Sequence, residues 1–272
     1  MKKQISLLLA ILMILSLCAN AFAEETGELI FTPDIVMDRL EKGDDSARTA
    51  EDQTVNGVYR LVEMLGTAAA IRATDEDCEI INAYLERIYD GDEQNLSNQQ
   101  KLAIGAMQAF NILEFIAEQE DPQVKYQSNR DAIREYFSDG DDEARDARDQ
   151  TLNALYSAVY MAALILEEMC PTKEMIASID EELNAFSDDN NICQAVDDQI
   201  VNGAYWLQRM LTGIVSYLSP SDAYMNTVFD MSAEIAQDAN NQTDLENELV
   251  VWLYSCVQMS GLFAEELLSE AE

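Results

Sequence analysis

Apolar residues recur along the chain every three or four positions, the spacing that places them on one face of an α-helix. One such face comprises Ile80, Ile81, Tyr84, Leu85 and Ile88. Between residues 147 and 168, apolar residues instead cover most of the helix circumference, which is typical of a helix buried on several sides. The pattern therefore predicts amphipathic outer helices that alternate with more apolar inner helices.

The inner helices share a sequence motif, here called the phrase, that first appears as DQTVNGVY, from Asp52 to Tyr59. Copies aligned on Gln53, Gln100, Gln150, Gln199 and Glu248 are 47, 50, 49 and 49 residues apart. A recurrence of this length is typical of repeat architectures, in which each unit packs mainly on its neighbours. The inner helices are predicted near residues 50–71, 97–118, 147–168, 196–217 and 245–269.

The outer helices have start signals of their own. Thr74 is followed three residues later by Asp77, an N-cap hydroxyl with an acid at the third helical position. Pro122, Pro171 and Pro220 are spaced by 49 residues and precede outer helices, because proline is tolerated only in the first helical turn. These signals predict an all-α fold, an array of antiparallel helix pairs that is either an open α-solenoid or a closed toroidal bundle. The expected single domain spans 33–269, after a flexible segment at 24–32.

The N-terminal segment has the pattern of a signal peptide. Lys2 and Lys3 precede an apolar run from Ile5 to Cys18, and Ala21–Ala23 form an A-x-A cleavage site. Cleavage after Ala23 would make the protein secreted or extracytoplasmic. No second apolar stretch of about 20 residues follows, so no membrane span is expected.

The charge of the chain is strongly negative, with 52 acidic and 16 basic residues and a net charge of −36. Such a surface repels nucleic acid and anionic lipid. It favours a cationic protein or peptide as the partner and predicts no binding to nucleic acid or membrane. Solubility outside the cell is the simpler explanation for this charge and the one that we favour.

Acidic residues cluster where the outer helices are expected to end in turns, with Gly43, Gly91 and Gly140 as helix stops. Because these turns recur once per helix pair, they should lie on one edge of the array and give it a negative potential. This acidic edge supplies the candidate binding residues Asp90, Asp92, Asp139, Asp141, Asp142, Asp188 and Asp189. Weak calcium binding is an alternative use, although no copy matches a twelve-residue calcium loop.

Histidine is absent from the chain, which excludes histidine-dependent nucleophiles and histidine-ligated metals. No phosphate loop or CxxC pair is present, so no cofactor, metal ligand or catalytic residue is assigned. An extracellular glycan-active enzyme with paired carboxylates remains an alternative, by analogy with other helical toroids. The leading expectation is a non-catalytic binding module.

The recurring Asn, Tyr and Met of the phrase allow two interpretations. They could line a ligand-binding groove, or they could pack and hydrogen-bond between successive units. Because a site needs one constellation whereas an interface recurs with every unit, repetition favours the structural interpretation. The Met set is Met64, Met161, Met210 and Met259.

Overall fold

The computed structural model describes residues 31–46, 49–93, 95–120, 126–143, 146–169, 172–193, 195–218, 222–240, 242 and 244–271. The predicted signal peptide, 1–23, and most of the predicted flexible segment lie outside these residues. All regular secondary structure within the described ranges is α-helical, and they contain no strand. The all-α prediction is therefore confirmed.

The described ranges form ten helices. In chain order they are α1 Pro33–Ser46, α2 Ala50–Ala70, α3 Asp75–Glu93, α4 Asn98–Glu120, α5 Gln127–Glu143, α6 Ala147–Met169, α7 Lys173–Ile192, α8 Val196–Leu218, α9 Asp222–Asn240 and α10 Leu245–Ala271. The even-numbered helices are the predicted inner helices, and they begin within one residue of their expected positions.

The inner helices close into a ring. Each packs on the next in the order α2, α4, α6, α8 and α10, and α10 packs on α2. The odd-numbered helices pack around the outside, so α3 contacts both α2 and α4, and α7 contacts both α6 and α8. The arrangement is thus a closed toroid rather than an open array.

All five inner helices run in the same direction. At the seam between α2 and α10, Gly57 faces Tyr254 and Met64 faces Gly261. Because residue numbers increase in the same direction along both helices, α2 and α10 are parallel. Each of the first four inner helices is followed by an outer helix that returns the chain to the starting end. The N-termini of the five inner helices therefore meet at one end of the ring, which we call the mouth.

The N-caps align the inner helices. Thr49 Oγ1 accepts a hydrogen bond from the Asp52 amide at 3.1 Å, and Asp146 Oδ1 accepts one from the Asp149 amide at 3.1 Å. Ser97 caps α4, and Gln100 Oε1 accepts from the Ser97 amide at 3.0 Å. Because Gln100 completes this capping box, it corresponds to Asp52 and not to Gln53. The second copy of the phrase was therefore placed one residue too early.

The asparagines of the phrase hydrogen-bond to the preceding outer helices. Asn56 Nδ2 donates to the Leu40 carbonyl at 2.9 Å, and Asn153 Nδ2 donates to the Phe137 carbonyl at 2.8 Å. Asn202 lies beside the Tyr156 hydroxyl of the neighbouring inner helix α6. The contacts of Asn56 and Asn153 agree with the structural interpretation of this position. The methionine set is buried too, at Met64, Met161, Met210 and Met259.

The expected acidic turns are helical. α1, α3 and α5 continue through Gly43, Gly91 and Gly140, so the prediction that these glycines stop the helices is wrong. Gly43 instead allows close approach, because a Cβ there would lie 2.1 Å from Asn56 Oδ1. Its missing side chain makes room for the inner helix. A Cβ on Gly91 would make only an ordinary contact, 3.4 Å from the Tyr59 hydroxyl.

Candidate functional site

A cavity of about 610 Å³ opens at the mouth of the ring. Every inner helix contributes residues from its first two turns to the cavity wall. The second residue of each helix lies in the outer layer, the rim, which comprises Glu51, Gln99, Arg148, Asp197 and Glu246. The fifth residue lies in the inner layer, the floor, which comprises Thr54, Leu102, Thr151, Ile200 and Leu249. Residues three apart share a helix face, so both layers point towards the ring axis.

The floor is mainly apolar. Leu102, Ile200 and Leu249 supply aliphatic side chains from three of the five helices. Thr54 Oγ1 donates to the Ala50 carbonyl at 2.8 Å, and Thr151 Oγ1 donates in the same way to Ala147 at 2.8 Å. Because both hydroxyl protons are used within their own helices, the threonines offer no donor to a ligand.

One half of the rim forms a hydrogen-bonded network. Arg148 Nη1 lies 3.2 Å from Asp197 Oδ2, which joins α6 to α8. With the Gln99 amide turned so that its oxygen faces Arg148, it accepts from Nε at 3.2 Å and from Nη2 at 3.1 Å. About half of the Arg148 and Asp197 side chains is exposed, so the ion pair contributes at most about 1 kcal/mol to stability.

The other half of the rim is acidic. Glu51 on α2 and Glu246 on α10 are exposed neighbours across the seam. Within the described part of the chain, neither carboxylate forms an ion pair or a side-chain hydrogen bond. The rim is therefore polarised, with free carboxylates at the seam and a guanidinium with an amide on α6 and α4.

The helix dipoles offset part of the rim charge. Three carboxylates and one guanidinium leave the rim with a net formal charge of −2. Five helix N-termini contribute about half a positive charge each. The negative charge of the rim and the positive partial charge of the helix N-termini are similar in size. The helix dipoles therefore offset most of the rim charge close to the backbone. The net charge of −36 dominates at longer range.

The predicted acidic edge lies at the same end of the ring but outside the pocket. Asp90, Asp139 and Asp188 are exposed near the C-terminal ends of α3, α5 and α7. Asp189 is half-buried, and its carboxylate accepts from Trp206 Nε1 at 3.1 Å. The side chains of the remaining predicted members, Asp92, Asp141 and Asp142, lie outside the described residues. None of the four candidates that the structure describes lines the cavity.

Sequence reasoning missed the residues that do line the cavity. The signal was available, since Gln99, Arg148, Asp197 and Glu246 follow one another at intervals of 49 residues and Glu51 precedes Gln99 by 48. The recurrence is hard to see because the residue type differs between copies. An interface position repeats one residue type, whereas the rim position is an acid in some units, an amide in another and a base in another.

A buried charged cluster lies on the outer side of α2. Glu63 is fully buried, with Arg39 Nη1 at 3.1 Å and Arg60 Nε at 3.2 Å from its carboxylate oxygens. The Tyr89 hydroxyl also donates to Glu63. Burial raises the pKa of Glu63, against the lowering effects of Arg60, Tyr89 and Arg39. The cluster joins α1 and α3 to the ring and does not reach the pocket.

Metal-holding clusters and membrane-spanning helices are both absent from the described residues. They contain no group of three or more His, Cys, Asp or Glu residues arranged to hold a metal ion. None of their helices combines the length and apolar character needed to cross a membrane. Cys78, Cys193 and Cys256 are free thiols, and Cys170 lies outside the described residues.

No protein-family model, curated protein or solved structure matches this chain. The pocket and its charges are therefore the features that bear on function.

Proposed function

We propose that the protein is a secreted, non-catalytic binding protein whose pocket holds an apolar side chain of a cationic peptide. The observation that carries this proposal is the cavity of about 610 Å³, which combines an apolar floor with free carboxylates at its rim. Sites for small ligands occupy about 300–1,000 Å³. The cavity accommodates a short peptide segment but not a folded domain.

The floor supplies affinity through burial of apolar surface. Leu102, Ile200 and Leu249 can surround one aliphatic or aromatic side chain of the ligand. Complete burial of such a side chain contributes about 1.5–3 kcal/mol. Salt does not screen this contribution, because it arises from removal of apolar surface from water.

The carboxylates supply attraction and selectivity for basic peptides. Glu51 and Glu246 are exposed beside the opening and are available to a Lys or Arg side chain. The acidic edge surrounds the same end of the ring, and the net charge of −36 extends the attraction into solution. Charge complementarity of this kind raises association rates and excludes acidic ligands.

The site lacks the arrangement expected of a hydrolase. A general acid for glycoside cleavage requires a buried environment that raises its pKa. The rim carboxylates Glu51, Asp197 and Glu246 are exposed instead. Burial does raise the pKa of Glu63 and of Glu114, but neither residue lines the pocket. These observations favour binding without turnover over the alternative of a glycan-active enzyme.

Fluorescence anisotropy of a labelled peptide that contains two lysines and one phenylalanine tests the proposal. We expect binding that weakens as salt increases and that is lost when serine replaces phenylalanine. The double variant Glu51→Gln/Glu246→Gln should bind about tenfold more weakly. The matched control Glu76→Gln/Glu79→Gln removes the same charge from exposed positions on α3, at the opposite end of the ring. Equal weakening in both variants would contradict a role for the rim.

A further inference from the structure

The rim charges point to a more specific ligand within this proposed binding function, on which the inference rests. We infer that the pocket recognises the free C-terminus of a peptide. Its apolar last residue lies on the floor, its terminal carboxylate meets Arg148, and a basic residue shortly before the end meets Glu51 and Glu246.

The order of the helices places these charges on opposite sides of the mouth. In a ring of five, the helix opposite the seam between α10 and α2 is α6. Arg148 therefore faces the pair Glu51 and Glu246 across the cavity. A ligand that spans the opening meets a guanidinium on one side and carboxylates on the other.

Arg148 retains capacity for an anion. A guanidinium carries five N–H donors, and the contacts to Asp197 and Gln99 use three of them. The ion pair to Asp197 is exposed, so a ligand carboxylate can share or replace it at little cost. Arginine is well suited to bind a carboxylate through two parallel hydrogen bonds.

The width of the ring favours a peptide end over a single amino acid. Packed helices are about 8–10 Å apart, so a helix and the opposite seam of a five-membered ring are about 12–15 Å apart between axes. The ammonium and carboxylate of a free amino acid share one carbon, whereas a peptide carries its charges farther apart and can reach both sides of the opening. An extended chain advances about 3.3–3.6 Å per residue, and a lysine side chain adds further reach. One or two residues between the two charges are sufficient.

The apolar floor sets the identity of the last residue. The carboxylate binds at the rim, one helical turn above the floor, so the C-terminal side chain is the part of the ligand that enters the cavity. Leu102, Ile200 and Leu249 favour an aliphatic or aromatic side chain there. A charged C-terminal side chain would lose its hydration without finding a partner on the floor.

Peptides that differ only at the C-terminus test this inference. The probe is an N-terminally labelled Gly-Gly-Lys-Gly-Phe, prepared as the free acid and as the C-terminal amide, with fluorescence anisotropy as the readout. We expect the free acid to bind about tenfold more tightly than the amide. Unlabelled phenylalanine should not compete at concentrations where the unlabelled free-acid peptide does.

Variants of Arg148 locate the effect. Arg148→Gln should abolish the difference in affinity between the free-acid and amide peptides. Arg148→Lys should retain part of this difference, because lysine keeps the positive charge but cannot donate two parallel hydrogen bonds to a carboxylate. The control Arg87→Gln removes an exposed guanidinium on α3 and should leave the difference unchanged. Melting temperatures of all three variants establish that they are folded.

The outcomes distinguish this inference from the function on which it rests. Equal binding of acid and amide to the unmodified protein would overturn C-terminal recognition and leave the basic-peptide proposal in place. A preference for the acid that survives Arg148→Gln would also overturn it. Failure of both peptides to bind, together with failure of the internal lysine and phenylalanine peptide, would overturn both proposals.

Discussion

Asn56 Nδ2 donates a hydrogen bond to the Tyr254 hydroxyl at 3.2 Å and so joins the first inner helix to the last. The equivalent residues, Asn202 and Tyr156, lie beside each other between α8 and α6 in the interior of the array. The seam of the ring thus uses the same side-chain contact as an ordinary interface between consecutive units. The first and last inner helices each carry a surface that fits another inner helix. When the chain closes into a ring, these two surfaces pack on each other.

Asn56→Ala should destabilise the protein by about 1–3 kcal/mol. The substitution leaves the Leu40 carbonyl without the amide that it accepts from and removes the bond to Tyr254. Chemical denaturation followed by circular dichroism measures the loss. The control Asn184→Ala, on the exposed side of α7, should change stability by less than about 0.5 kcal/mol. Equal stability of the two variants would show that the seam does not depend on this bond.

Gly105→Ala and Gly66→Ala should have opposite effects on stability. A Cβ on Gly105 would lie 2.7 Å from Val58 Cγ1, so α4 and α2 must separate, at a cost of about 1–3 kcal/mol. A Cβ on Gly66 would make ordinary contacts, the nearest at 3.4 Å to Ile81 and Leu85. Alanine there should stabilise α2 by up to about 1 kcal/mol through helix propensity. Thermal melts compare the two, and a loss of stability in Gly66→Ala would contradict the packing described.

The charged cluster at Glu63 should make stability depend on pH. Burial raises the folded-state pKa of Glu63 above its ordinary value of 4.5. Its contribution to stability is therefore fully present below that value and is lost as pH rises through the folded-state pKa. Relative to Glu63→Gln, the unmodified protein should lose stability between acidic and neutral pH. Urea unfolding at several pH values measures this difference, and the opposite slope would mean that Arg39 and Arg60 outweigh burial.

Leu102→Trp should fill the pocket and block peptide binding. Leu102 lies on the floor and is half-buried, so the larger ring can occupy the cavity without displacing the core. Anisotropy with the lysine and phenylalanine peptide should show at least tenfold weaker binding, while the melting temperature changes little. Ile80→Trp places the same ring at an exposed site on α3 and serves as the control. Undiminished binding to Leu102→Trp would place the peptide elsewhere.

Sequence reasoning succeeded where local chemistry decides the structure. The N-cap signal of Thr74 with Asp77 is short-range, and the two residues do form a capping box at the start of α3. The burial of Met64 and Met161 followed from their recurrence among apolar residues. Sequence reasoning failed at Gly43, because a glycine that ends a helix and one that admits a neighbouring helix look alike in a sequence.

The pocket could not be predicted because it depends on ring closure. Glu51 and Glu246 become neighbours only when α10 packs on α2, a contact between opposite ends of the array. In an open array the two residues would lie far apart, and the five rim positions would form a row rather than enclose a cavity. Periodicity describes each unit and its neighbour, and it does not determine whether the last unit meets the first.

The seam between α2 and α10 also determines when the ring can close during synthesis of the chain. Helix α2 emerges from the ribosome early, yet its partner α10 is the last of the described helices to be made. Until then one flank of α2 has no helix to cover it, and a contact of such long range forms slowly. A polypeptide truncated before Leu245 would keep four of its five inner helices but would have no enclosed cavity in which a ligand could be retained.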